Sequence, residues 1–159
     1  MFYSTNNELY GICDSGWWDY YGTTSNTMVV KLLDANGDMD IEVITFNHKE
    51  EFPTQIKVVG DWVYYRYAVL DSYGQETGMH RLARVNLQSR VEEEIFTDDI
   101  FSTLGFEVLG YDVSKDNSIL YFSALDYSTN SVIVGKIDLS TKAYTAMDAD
   151  TAFDVIRAF

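Results

Sequence analysis

A chain of 159 residues carrying 25 acidic against 11 basic side chains, a net charge of −14, argues against nucleic acid and anionic membrane as partners, because both are held by lysine and arginine neutralising phosphate. Apolar residues at 47% can fill a core, and 15% aromatics with a single proline, Pro53, suit strands better than disorder. A lone cysteine, Cys13, rules out an internal disulfide and a cysteine-built zinc site.

The chain opens on MFYSTNNELYGIC, which lacks the basic stretch and apolar run of a signal peptide. No apolar run approaches the ~20 residues of a membrane helix, so membrane insertion is not expected, and the compartment stays open. From Asn6, NNELYGICDS reads as a polar turn leading into an alternating strand. The same pattern returns as GDWVYYRYAVLDS from Gly60 and DNSILYFSALDYS from Asp116, with Tyr10, Tyr64 and Tyr121 in register at spacings of 54 and 57 residues. Each strand ends at an aspartate: Asp14, Asp71 and Asp126.

The second half of each repeat reads strand, polar turn, strand: MVVKLLDANGDMDIEVITF from Met28, MHRLARVNLQSRVEEEIF from Met79 and VIVGKIDLSTKAYTAM from Val132. The turns DANGD, NLQSR and DLSTK are built from residues that bond their own backbone, and each predicts a hairpin. A further apolar strand precedes the second and third repeats, TQIKVVG from Thr54 and FEVLGYDVS from Phe106. The first repeat has little room for that strand, since only MFYST precedes its turn. TDDIFSTLG from Thr97 is the one helix-like stretch, a single turn capped by Thr97 or Asp98. FDVIRAF from Phe153 is a spare strand, placed to complete the first repeat.

The expected fold is all-β: three tandem four-stranded antiparallel propeller-type blades near residues 1–52, 53–104 and 105–152, with a terminal strand at 153–159. The sequence resembles the blade repeats of bacterial six-bladed propellers of the YWTD and Tol-periplasmic type. The resemblance covers nearly the whole chain and rests on a polar turn followed by Leu/Val-Tyr-Tyr/Phe on the second strand and Arg/Lys-Val/Ile-Asn/Asp-Leu on the third; the YWTD tetrapeptide itself is absent. It implies half of a propeller or a segment of a larger one, a binding platform rather than an enzyme, and an extracytoplasmic setting. Three blades are too few to close a ring, so the expected partners are a second copy or the remainder of a longer propeller.

For a ligand, the loop DSGWWDYYGTTSNT from Asp14 stands out, because Trp17, Trp18, Asp19, Tyr20 and Tyr21 sit in a polar connector. Such rings stack on a sugar or a protein partner, although packing over a blade edge is the commoner use. Propeller connectivity would gather Trp17, Trp18, Asp19, His48, Asp71, Asp98, Asp99 and Asp126 on one face, an acidic aromatic surface for a cation, a glycan or a basic peptide; a merely solvated acidic face is the plainer reading.

DANGDMDIE from Asp34 has carboxylates at alternate positions but Met39 and Thr45 where a calcium loop needs Gly and Glu, so a tight Asn36-Gly37 hairpin explains it better. His80 sits on an alternating strand, and His48 in a charged linker, without a nucleophile motif beside either. No catalytic residue, metal ligand or cofactor is assigned. The expected function is a non-enzymatic binding or scaffold module with a protein or glycan ligand. The alternative is a carbohydrate-recognition or glycan-processing propeller domain.

Overall fold

The computed structural model describes residues 2–5, 8–15, 26–34, 36–44, 54–96 and 106–147. Every regular element among them is a strand, and every pairing is antiparallel. Three consecutive meanders result. The first joins β1 (Phe2–Thr5), β2 (Glu8–Ser15), β3 (Asn26–Leu33) and β4 (Met39–Ile44). The second joins β5 (Thr54–Val59), β6 (Trp62–Leu70), β7 (Glu76–Asn86) and β8 (Glu92–Glu94), and the third β9 (Phe106–Val113), β10 (Ile119–Asp126), β11 (Ser131–Asp138) and β12 (Tyr144–Met147). In each sheet the spatial order is the chain order.

One expectation is corrected. The first repeat does not lack its leading strand: Phe2–Thr5 pairs with β2, Phe2 opposite Gly11 and Thr5 opposite Glu8. The first sheet therefore reaches four strands without residues 153–159, which lie outside the described residues, as does the helix-like stretch at 97–105.

The turns between third and fourth strands follow one chemical rule. Asp34, Asn86 and Asp138 stand 52 residues apart in both steps, and each side chain accepts from backbone amides of its own turn. Asp34 Oδ1 accepts from Asn36 and Asp38 at 2.9 Å each; Asn86 Oδ1 accepts from Gln88 at 3.0 Å and Ser89 at 2.9 Å; Asp138 Oδ1 accepts from Ser140 and Thr141 at 2.9 Å each. Asp34 thus closes a hairpin whose left-handed residue is Gly37, at φ 85°. Arg90 and Lys142 hold the left-handed position in the two longer turns, at φ 60° and 61°.

The core lies between the sheets. On β6 the alternation of side chains sends Tyr64 to one face and Val63, Tyr65 and Tyr67 to the other, and all four are buried. Val63, Tyr65, Tyr67, Ala83, Val85 and Leu87 cluster with Tyr10 of the first sheet. Tyr64, Leu82, Ile95 and Phe96 cluster with Val108, Leu120, Phe122, Ile137 and Leu139 of the third. Phe96 meets Phe122 edge-on, centroids 5.0 Å apart. The middle sheet is therefore buried on both faces, which explains why WVYYRYAVL is apolar at consecutive rather than only alternate positions.

Candidate functional site

The second and third sheets are joined at both ends, and the two joints differ. At the end carrying the turns after first and third strands, the contacts are buried or half-buried. Arg84, on β7 opposite Tyr64, stacks on the Trp62 ring at 4.0 Å and donates to Glu93 Oε2 from Nη2 at 2.9 Å and from Nε at 3.2 Å. It also donates to the Tyr64 hydroxyl at 3.3 Å and reaches the Leu139 carbonyl of the third sheet at 3.4 Å. Lys142 adds a second cation to Glu93 at 3.1 Å, and the Tyr64 hydroxyl donates to Asn117. Burial pushes the Glu93 carboxyl up, but the bonds from Arg84 and Lys142 outweigh it and bring it below the usual range. Burial raises the Tyr64 phenol, which stays protonated and able to donate. Arg84, Glu93 and Lys142 are engaged with one another, which makes this cluster a structural joint.

The opposite end holds the turns between second and third strands, where Asp71 and Asp126 were expected to face a ligand. Both lie there, but their carboxylates close their own turns. Asp71 Oδ1 accepts from the amides of Tyr73 at 2.8 Å and Gln75 at 2.9 Å, and Gly74, at φ 76°, completes the reversal. Asp126 Oδ1 accepts from the Ser128 amide at 2.8 Å and hydroxyl at 2.6 Å, and Oδ2 from the Thr129 hydroxyl at 3.0 Å. The Ser128 hydroxyl bond leads in holding the Asp126 carboxyl below the usual carboxylate range.

What these turns present is aromatic. Tyr73, two residues after Asp71, is 86% exposed, and Tyr127, directly after Asp126, is 52% exposed. Between the sheets lies a carboxylate that sequence reasoning did not single out. Glu107, on β9, receives the Tyr127 hydroxyl at 2.7 Å on Oε2 and faces His80 Nδ1 of β7 at 3.2 Å on Oε1. The Glu107 bond pushes the Tyr127 phenol up. His80 is half-buried at the seam rather than simply core or surface.

The first strands of the two sheets are tied as well. Gln55 donates to the Leu109 carbonyl at 3.0 Å, the Tyr111 hydroxyl donates to the Gln55 carbonyl at 2.5 Å, and Lys57 pairs with Asp112 at 2.9 Å. The aromatic end therefore rests on two sheets locked to one another.

Trp17, Trp18, Asp19, Tyr20, Tyr21, His48, Asp98 and Asp99 lie outside the described residues. Among the described residues no group of three His, Cys, Asp or Glu side chains is arranged to hold a metal ion. A signal for the missed rings was present in the sequence: Asp14, Asp71 and Asp126 are each followed within three residues by an aromatic, Trp17, Tyr73 and Tyr127. Chemically, exposed phenol rings such as Tyr73 and Tyr127, the latter bonded to a carboxylate, can stack on an apolar sugar face or receive a cation. No protein-family profile matches the chain, and comparison with curated proteins finds no match.

Proposed function

We propose that the three sheets are propeller-type blades and that the chain is a non-enzymatic binding module acting through the end that carries Tyr73 and Tyr127. The observation behind this is the placing of those rings. Asp71 and Asp126 fix the two turns from within, so exposed aromatics are displayed on ordered backbone and need little further ordering on binding. The blade reading draws support from three successive four-stranded meanders and from the middle sheet being buried on both faces. The sequence adds Trp17, Trp18, Asp19, Tyr20 and Tyr21 to the corresponding connector of the first repeat.

A protein or a glycan fits this surface. The carbohydrate reading is favoured by the exposed Tyr127 ring, bonded to Glu107, and by the exposed Tyr73 ring on the corresponding turn of the second sheet, since such rings stack on a sugar and a carboxylate accepts from its hydroxyls. A glycan array, a set of basic peptides and a hydrolysis assay separate the readings. Sugar binding without turnover supports recognition, and peptide binding alone a protein partner. Turnover abolished by Glu107→Gln would replace the module with a glycan-processing enzyme. Failure of Tyr73→Ala and Tyr127→Ala to weaken any binding found would remove the site.

A further inference from the structure

The second sheet meets the third through a row that runs across its strands. Tyr64 on β6 lies opposite Arg84 on β7, and Arg84 opposite Glu93 on β8. The first sheet has the same row in register, Tyr10 opposite Lys31 and Lys31 opposite Glu42, and Tyr10 is buried with Leu87 of the sheet that follows. The third sheet repeats it once more: Tyr121 opposite Lys136, and Lys136 opposite Thr145. Alternation along β10 and β11 directs this row away from the core, since Leu120, Phe122, Gly135 and Ile137 take the side facing the second sheet.

Around that row the third sheet keeps the composition of an interface. Val134 occupies the register position of Leu82, and Met147 lies opposite it. Leu82 is wholly buried, whereas Val134, Lys136 and Met147 are only half-buried and Val132 is 62% exposed.

We propose that this face of the third sheet docks the first sheet of a second copy of the chain, in the manner of the two sheet contacts within one chain. The inference rests on the blade reading above. Continuity of the repeat points to the occupant. Tyr64 donates to Asn117, in the turn that opens the third repeat; the first repeat has Asn6 at that sequence position, whereas the second has Gly60. By sequence, the first repeat thus has at that position the residue type that accepts from Tyr64, where the second has a glycine. If each copy offers its third sheet to the other's first, the two contacts are related by a twofold axis and the assembly closes at six sheets. Charge opposes it, since each copy carries −14, so added salt should strengthen association.

The test is sedimentation velocity on the full chain across the micromolar range, with Val134→Lys, Lys136→Glu and, as a control in an exposed turn of the second sheet, Gln88→Lys. The expected result is a dimer that Gln88→Lys leaves intact. Val134→Lys should weaken it about tenfold or more, because the ammonium group would be buried without a partner. Lys136→Glu should weaken it as well, by turning a carboxylate towards the backbone carbonyl that a cation meets in the Arg84 position. Far-UV circular dichroism checks that both variants keep their strands, and Lys136→Glu carries the test if Val134→Lys does not. A chain that stays monomeric throughout, or a dimer indifferent to the folded variants, overturns the proposal. Electron-microscopic projections separate this from the blade reading. A dimer broken by these variants but showing no ring of six lobes keeps the docking face and removes the propeller; a monomer removes the docking face alone.

Discussion

Leu87 and Leu139 do the same work at successive sheet contacts. Each follows the residue that caps a turn between third and fourth strands, and each is buried in the cluster shared with the preceding sheet. Each also donates its amide to the first turn of its own sheet, Leu87 to the Asp61 carbonyl at 2.7 Å and Leu139 to that of Ser118 at 2.9 Å. Leu87→Ala and Leu139→Ala should each lower stability by about 2–4 kcal/mol through lost burial and the cavity left behind. Urea titration of both variants checks this. A loss at one position only would mean that the two contacts are not equivalent.

Arg84→Ala should be among the most damaging polar substitutions. It leaves Glu93 with Lys142 alone and strips the Trp62 face. The expected loss is about 2–4 kcal/mol, below the full cost of breaking a deeply buried pair because Glu93 keeps about a third of its side-chain surface in water. Arg84→Lys should recover part of it, since an ammonium can reach Glu93 but cannot reproduce the flat stacking on Trp62. Thermal denaturation of the two variants against wild type measures the order.

Gly135 is glycine for lack of space. A Cβ there would stand 2.6 Å from Tyr144 Cε2 and 2.9 Å from Phe122 Cζ, two rings that close over the backbone. Gly135→Ala should cost about 1–3 kcal/mol by driving those rings apart. In the Gly135→Ala, Tyr144→Ala double variant the clash with Tyr144 is gone, so the two losses should sum to more than the measured total. Simple additivity in denaturant titrations would refute the steric account.

Asp138 links the fold to pH. Bonds from the Ser140 hydroxyl first, then from Thr141, lower its carboxyl from 3.8 to about 2 in the folded chain. A depressed folded value means the carboxylate's contribution is fully present above 3.8 and is lost as the pH falls towards 2. Asparagine fills the equivalent place at Asn86, so Asp138→Asn should keep the turn. Its stability difference from wild type should be constant near neutrality and shrink through that acid window. Urea titrations at several pH values would show this, and a constant difference down to the lowest pH would contradict it.

Tyr73→Ala should leave stability within about 0.5 kcal/mol of wild type, since the ring lies in solvent and the Asp71 bonds go to backbone. Tyr127→Phe removes only the bond to Glu107. If the aromatic end binds a ligand, Tyr73→Ala should weaken binding with no change in melting temperature, which calorimetry on one sample can separate.

Much of the architecture was legible because it is carried by local chemistry repeated three times. Tyr10, Tyr64 and Tyr121 mark the second strands, and Asp34, Asn86 and Asp138 mark the hairpins, since a side chain that caps its own turn needs no distant partner. The short leading strand at Phe2–Thr5 was underestimated because four residues give too few alternations to register as a pattern, although pairing with β2 is enough to order them. Asp71 and Asp126 were located correctly in turns, but their carboxylates look inward to the backbone, a distinction that depends on rotamer and turn geometry. The joining of Glu107 to His80 and Tyr127, and the pairing of Arg84 with Glu93, Trp62 and the Leu139 carbonyl, depended on how one sheet lies against the next. Those contacts span up to 55 residues of chain. Periodicity fixes which face of a strand is apolar, but the stacking of sheets decides which polar groups at their edges come within hydrogen-bonding distance.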